Sequence, residues 1–337
     1  MKNSIFPAVL ILAFGLIFIQ PVLALTISPV RMEIAGDPGQ TLRGEIELFN
    51  EQGETKTFYS SAANFEARGD SGAPYFLPDT TKGLASWITI QDNVVLKADE
   101  RKIIPYTIQI PQGVEAGGYF AAIFWGTSPP GRQGGEQVSV SGKLGMLILL
   151  SVKGELKEGG GLLDLKIDEG GRVASSFPIT FAYRFSNDGS ERVKPTGELK
   201  IKNLFGFTTA TLDANSGNGN VLPGSIRKFK IVWFEKGQDK LAVFSPPAEG
   251  AEENHGFFSS VSNQWRNFAF GLYSAKLNLT YGNDNKTAET SYRFFVIPWQ
   301  LLSILVFILA IFGIGGWFGI KRYNRWVIKK AQAGKFQ

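Results

Sequence analysis

The chain has 337 residues, with 35 Lys+Arg against 30 Asp+Glu, a single histidine and no cysteine. Without cysteine there is neither a disulfide framework nor a lipidation thiol, and one histidine leaves zinc or iron without a ligand set, so no metal and no cofactor is expected. The net charge of +5 is a sum over compartments: six cations lie in the last 17 residues and one is Lys2, which leaves the rest near −2, with no basic footprint for nucleic acid.

Lys2, an apolar run from Ile5 to Ile19, Pro21 and the small-residue pattern Val22-Leu23-Ala24 predict a secretory signal peptide over 1–24, with a mature chain beginning at Leu25. A cysteine-free exported chain fits a bacterial envelope. Beyond it the side chains alternate. Leu42, Gly44, Ile46 and Leu48 share one face of a strand, and Thr41, Arg43, Glu45 and Glu47 share the other. The same period of two runs through Ile104, Tyr106, Ile108 and Ile110, through Phe177, Ile179, Phe181, Tyr183 and Phe185, and through Tyr273, Ala275, Leu277, Leu279 and Tyr281. Turn clusters separate such runs, as at Asn187-Asp188-Gly189-Ser190 and Gly282-Asn283-Asp284-Asn285. No long helical period is read between the signal peptide and residue 298.

The fold class expected is therefore all-β: two immunoglobulin-like β-sandwiches, 25–153 and 162–296, followed by a single transmembrane helix. Glycines in Lys153 to Gly161 interrupt the apolar strand Leu144 to Val152 and mark the boundary. The halves also repeat. Leu96, Arg101-Lys102-Ile103 and Gly118-Tyr119 correspond in order to Leu222, Arg227-Lys228-Phe229 and Gly271-Leu272-Tyr273. Lys102 and Lys228 are offset by 126 and Tyr119 and Tyr273 by 154, which assigns about 28 additional residues to Gly237–Asn267, read as an inserted loop. A second long polar loop spans Ser128 to Gln137, and its Arg132, Gln133 and Glu136 are the candidate binding residues.

No charged residue falls between Arg293 and Lys321, so 298–320 is long and apolar enough to span a bilayer core of roughly 30 Å. Trp299 and Trp317 stand near its ends as interface residues. Lys321 and Arg322 open a basic tail, 321–337, without one acidic residue, which the positive-inside rule places in the cytoplasm. Gly315 and Gly319 form a small-xxx-small pair, with helix self-association the minority reading.

Several catalytic and ligand motifs are decoys. Gly69-Asp70-Ser71-Gly72-Ala73-Pro74 has the look of a serine-protease nucleophile segment, yet the only histidine, His255, follows it in the other half of the chain, so a turn between strands is expected. Arg68-Gly69-Asp70 is a chance tripeptide. Asp213 to Asn220 has the feel of a calcium loop, but its twelfth position is Gly224 rather than glutamate, and a hairpin tip is expected. Asn278 and Asn285 head N-glycosylation patterns that are simply polar residues in a bacterium.

Leu25 to Pro29, then Pro38-Gly39-Gln40, a strand ending at Asn50, Leu96 to Ile110, Pro111 and Gly117-Gly118-Tyr119 together form a pattern. With the signal peptide, second sandwich, terminal helix and basic tail, it resembles the WxL-interacting surface proteins of Gram-positive bacteria. The resemblance implies immunoglobulin-like domains and contact with peptidoglycan and a partner surface protein; no glycan-contact residue carries over. The expectation is a single-pass cell-membrane protein that is no enzyme: an extracytoplasmic binding or scaffold protein contacting cell-wall polymer or a surface protein. The alternative is an envelope-glycan enzyme or accessory subunit using acids such as Asp70, Asp79 and Glu115. A tail of 17 residues leaves a signalling receptor no room for a cytoplasmic catalytic domain.

Overall fold

The structure, a computed structural model, describes residues 25–129, 142–168, 170–234 and 256–333. The predicted signal peptide and the candidates Arg132, Gln133 and Glu136 lie outside them. The described chain divides into two compact units, parted in the main between Lys157 and Glu158.

In the first unit β1 (Leu25–Ser28) pairs antiparallel with β3 (Thr41–Asn50). The chain then crosses at Pro29-Val30, and β2 (Arg31–Gly36) runs parallel to β10 (Lys143–Val152) in the opposite sheet. Proline has no N–H to give a ladder, so the switch falls where pairing would be interrupted anyway. β3, β8 (Arg101–Gln109) and β6 (Ile88–Ile90) complete a four-stranded sheet in the order β1-β3-β8-β6. The other sheet runs β2-β10-β9-β4, with β9 at Gly117–Gly126 and β4 at Lys56–Arg68. Two short strands, β5 (Ala73–Phe76) and β7 (Asn93–Leu96), share the far edge of the long β4. Ile46, Leu48, Ile104, Tyr106 and Ile108 from one sheet meet Phe58, Ile123, Trp125, Ile148 and Leu150 from the other in a closed core. Each side chain so buried stabilises the fold by about 1.5–3 kcal/mol. Gly44 lies under Tyr106, where an added Cβ would come within 2.3 Å of the ring.

The second unit is built the same way. β11 (Gly161–Ile167), β13 (Ile179–Asn187) and β16 (Ser225–Trp233) form one sheet. β12 (Val173–Ala174), β18 (Lys286–Val296), β17 (Gly271–Tyr281), β14 (Thr196–Asn203) and β15 (Thr208–Asp213) form the other in that order, with β12 parallel to β18. Its core is aromatic: Phe181, Tyr183, Phe185, Phe229, Trp233 and Phe294 are all buried. Tyr183 stacks on Phe229 with centroids 4.9 Å apart and its hydroxyl donates to the Ala214 carbonyl at 3.1 Å. Burial pushes that phenol's pKa up.

The predicted repeat is real, and its register is one residue off the expected one. Both sandwiches split their first strand between the two sheets, and both start the penultimate strand on a positive-φ glycine, Gly117 and Gly271, two residues before Tyr119 and Tyr273. Val152 and Val296 face those glycines across the final hairpin. At the β3–β8 and β13–β16 ends, however, Asp99 matches Gly224, an offset of 125. Each has positive φ and donates its N–H to the carbonyl of a buried asparagine, Asn50 or Asn187, at 2.9 and 2.8 Å. Leu96 therefore corresponds to Val221 and Lys102 to Arg227. The expected alignment equated exposed Ile103 with buried Phe229, and a one-residue slip turns every side chain to the wrong face.

Two loop expectations change and a third holds. Of Gly237–Asn267, residues 237–255 lie outside the description, but α1 (Phe257–Arg266) is a helix. Its Phe257, Val261 and Trp265 recur at intervals of four, a period hidden in so short a run by serines and asparagines, which favour turns and caps. Asp213 to Asn220 is not a hairpin tip, because β15 and β16 belong to different sheets. It is a crossing pinned by buried Asn215, whose Nδ2 donates to the Pro195 and Gly219 carbonyls at 2.9 Å each. Gly69 to Gly72 does form the β4–β5 turn, with Gly69 and Gly72 at φ 59 and 69. Finally α2 (Trp299–Ala333) is one helix, long and apolar enough to cross a membrane, and it continues past Lys321 and Arg322 to Ala333.

A candidate binding face on the first sandwich

Strands β9 and β10 are apolar on both faces, unlike the half-polar strands β3 and β8. Inward go Tyr119, Ala121, Ile123 and Trp125 from β9, and Met146, Ile148, Leu150 and Val152 from β10. By alternation the outward set is Phe120, Ala122 and Phe124 beside Gly145, Leu147 and Leu149, joined across β4 and β5 by Phe65 and Phe76. These outward residues pack on one another. Phe76 meets Phe124 edge-on at 4.8 Å and Phe65 at 6.0 Å, and Phe65 lies 5.9 Å from Phe120. Gly145 makes room for the Phe124 ring: a Cβ there would stand 2.7 Å from it.

Where this layer meets the first-strand crossing it opens into a groove lined by Pro29, Val30, Arg31, Phe76, Phe124, Gly145 and Leu147. Val30 is 70% exposed, and Phe76 and Leu144 are also exposed. Arg31 and Glu33, 3.4 Å apart, form a polar rim on the outward face of β2. Pairing of β10 with β2 begins only at Leu147↔Arg31, so among the described residues Lys143–Met146 pair with β9 alone. A stretch of backbone N–H and C=O groups beside an apolar groove is a template for an added strand.

None of this face was picked out from the sequence. The signal was present in the apolar run Leu144 to Leu150, since a strand with one wet face alternates and this one does not. The candidates Arg132, Gln133 and Glu136 belong to the connection from β9 to β10 and cannot be placed against the groove, being outside the described residues.

The acidic residues considered for catalysis are held in separate turns. Asp70 is in the β4–β5 turn. Asp79 accepts from the Thr81 hydroxyl at 2.6 Å and the Thr81 N–H at 2.9 Å, and these bonds hold its carboxyl below the usual range, the opposite of what a general acid needs. Glu115 precedes β9, and its carbonyl accepts the Tyr119 hydroxyl at 3.0 Å. Among the described residues no three His, Asp or Glu side chains group so as to hold a metal. Asp168, its side chain 3% exposed, is paired with Lys228 and, at 2.8 Å, with Lys230. Burial works to raise its pKa, and the two lysines more than offset that, leaving it lowered.

Of the interface candidates, Trp299 opens α2 and Trp317 lies near the far end of its apolar stretch, both exposed, with the Lys321 ammonium 4.9 Å from the Trp317 ring. Arg322 follows on the same helix.

No family model and no curated protein matches the chain. Among solved structures it is similar to the class 5 fimbriae chaperone CfaA, at 11% identity over 82% of this chain and 100% of that one, with a TM-score of 0.36. It is similar also to the E. coli chaperone DraB, at 9% identity over 81% and 98%, TM-score 0.33. A third is the CsuC–CsuE chaperone–tip adhesion subunit pre-assembly complex of Acinetobacter baumannii, at 13% identity over 61% and 89%, TM-score 0.33. Similarity this low says nothing of ligand or partner. The immunoglobulin-like class of the chain stands on its own strand pairing: two sandwiches, antiparallel but for the second piece of the divided first strand, which runs parallel to the last strand in each.

Proposed function

We propose that this is a membrane-anchored extracytoplasmic binding protein whose first sandwich takes up an extended segment of another surface polypeptide along Lys143–Met146. The observation that carries the reading is the apolar outer face of β9 and β10, open at Val30, Phe76 and Phe124 beside a length of strand with only one partner among the described residues. A guest strand would pair with β10 and seat alternate side chains in the groove. No bond is made or broken, and α2 fixes the sandwiches at the membrane. The likeness to WxL-interacting proteins supports a surface-protein partner; the cell-wall polymer it also implies would need polar groups, and the described lining of the groove is apolar but for Arg31.

The test places a photo-crosslinking amino acid at Val30 or Leu144 in the full chain in cells, with exposed Ile103 on the other sheet as control. Polypeptide adducts are expected from the first two positions and should decline with Phe76→Ser. Adducts no more abundant at Val30 and Leu144 than at Ile103 would overturn the reading, as would cosedimentation with purified cell wall that Phe76→Ser abolishes in the absence of adducts.

A further inference from the structure

The end of the second sandwich from which α2 leaves is covered with aromatic side chains that no part of the described unit buries. Sheet register brings its parts together. Asn203 of β14 pairs with Tyr273, Tyr273 pairs with Phe294, and Gly271 pairs with Val296, only three residues before α2 begins at Trp299. The β14–β15 hairpin tip, the start of β17 and the start of α2 thus share one end of the sheet. The tip carries Leu204, Phe205 and Phe207, all exposed, with Phe205 at 81%. The segment before β17 is α1, where Phe258 is 81% and Trp265 75% exposed, followed by exposed Phe268 and Phe270.

Helix α1 is turned the wrong way round for a helix facing water. Its one buried residue is Gln264, whose Nε2 donates to the Ser175 carbonyl at 2.9 Å, with the Gln300 side chain also bonded, and whose Oε1 accepts the Leu301 N–H at 3.0 Å. Asn263 donates to the Phe177 carbonyl at 2.9 Å. Polar side chains therefore clamp α1 to the sandwich and to the first turn of α2, and the aromatic face is left outward. The Phe257 ring, 6.3 Å from that of Trp299, joins this face to the membrane-directed helix. Within these three segments the charge has one sign: Lys202, Arg266 and Arg293 are present, and no aspartate or glutamate occurs in 202–208, 256–270 or 293–301.

We infer that this end of the second sandwich docks on the bilayer surface, with the hairpin tip and α1 inserted among anionic lipid headgroups. Amphipathic rings beside cations are the composition that interfacial elements use. The helix α2 supplies the continuity: a domain three residues from the start of a membrane helix can present this face to nothing nearer than the leaflet that helix enters. The docking would hold the second sandwich against the membrane rather than on a free tether.

The inference rests on α2 spanning the bilayer, and the experiment separates the two. Because the chain has no cysteine, single substitutions Phe205→Cys, Phe258→Cys, Asp284→Cys and Phe312→Cys can each carry an environment-sensitive fluorophore in the full chain. The chain is reconstituted in phosphatidylcholine–phosphatidylglycerol vesicles containing spin-labelled lipid. Labels at 205 and 258 should shift to the blue and lose emission to the shallow quencher, as 312 does to a deep one, while 284, in the turn at the opposite end of β17, should do neither. Quenching at 312 without quenching at 205 and 258 overturns the docking and leaves the anchor standing. Quenching at none of the positions removes the anchor as well. A blue shift at 205 and 258 without lipid quenching means that another polypeptide covers the face, and also overturns the docking.

Discussion

Asn50→Ala should selectively destabilise the first sandwich. Asn50 is fully buried at the end of β3. Its Nδ2 donates to the carbonyls of Glu54 at 2.9 Å, Lys97 at 2.9 Å and Leu96 at 3.2 Å, and its Oδ1 accepts the Gln52 N–H at 3.1 Å. Two hydrogens serve three acceptors, so at least one bond is shared, and the loss amounts to about two donated bonds and one accepted. Leaving a buried backbone carbonyl unpaired costs about 1–3 kcal/mol, and water can reach the Glu54 and Lys97 sides, so a total near 3 kcal/mol is expected. Set against a typical stability of about 5–15 kcal/mol, that is a large fraction. At roughly 3–5 °C per kcal/mol for a domain of this size, the first transition should fall by about 10 °C. Urea or thermal unfolding of the full chain in detergent, followed by fluorescence, measures it, with Trp125 buried in this core as reporter. Asn187→Ala, which loses the 2.9 Å bond to the Val221 carbonyl, should lower the second transition instead. A cost below about 1 kcal/mol for Asn50→Ala would refute the reading that the buried Asn50 amide pins the end of β3 to the Leu96 and Lys97 carbonyls.

Asp168→Asn should weaken the second sandwich at neutral pH by about 1–3 kcal/mol, because two lysines lose a shielded partner. In the parent the Asp168 carboxyl is lowered, so its contribution is present above the ordinary carboxylate pKa of about 3.9 and is lost as pH falls through the lowered value. Unfolding measured from pH 7 down to acid should show a dependence that the variant flattens, and an unchanged profile would dismiss it. Gly145→Val should push the Phe124 ring off the groove and reduce crosslinking at Val30, with a smaller effect on thermal stability because the ring is outside the core. Ile46→Asp and Leu277→Asp should each unfold their own sandwich, since an unpaired buried carboxylate costs several kcal/mol; separate calorimetric transitions would show which one is lost.

By itself the sequence determined what depends on local periodicity. The inward sets Ile46 and Leu48, Ile104 to Ile110, Phe177 to Phe185 and Tyr273 to Tyr281 are all found on the core side, because a strand with one wet face must alternate. The terminal apolar helix was equally legible from length and hydropathy. Tertiary structure decided everything that depends on which strands become neighbours. The two basic strands read alike as text at an offset of 126, and only the hydrogen bonds of Asn50 and Asn187 show that 125 is the true register. The groove on the first sandwich gathers Val30, Phe76, Phe124 and Leu147 from strands far apart in the chain. The aromatic end of the second gathers Phe205, Phe258 and Phe270 in the same way. Chain-distant residues meet only through sheet order and register, and those are set by long-range backbone pairing that no local pattern of side chains encodes.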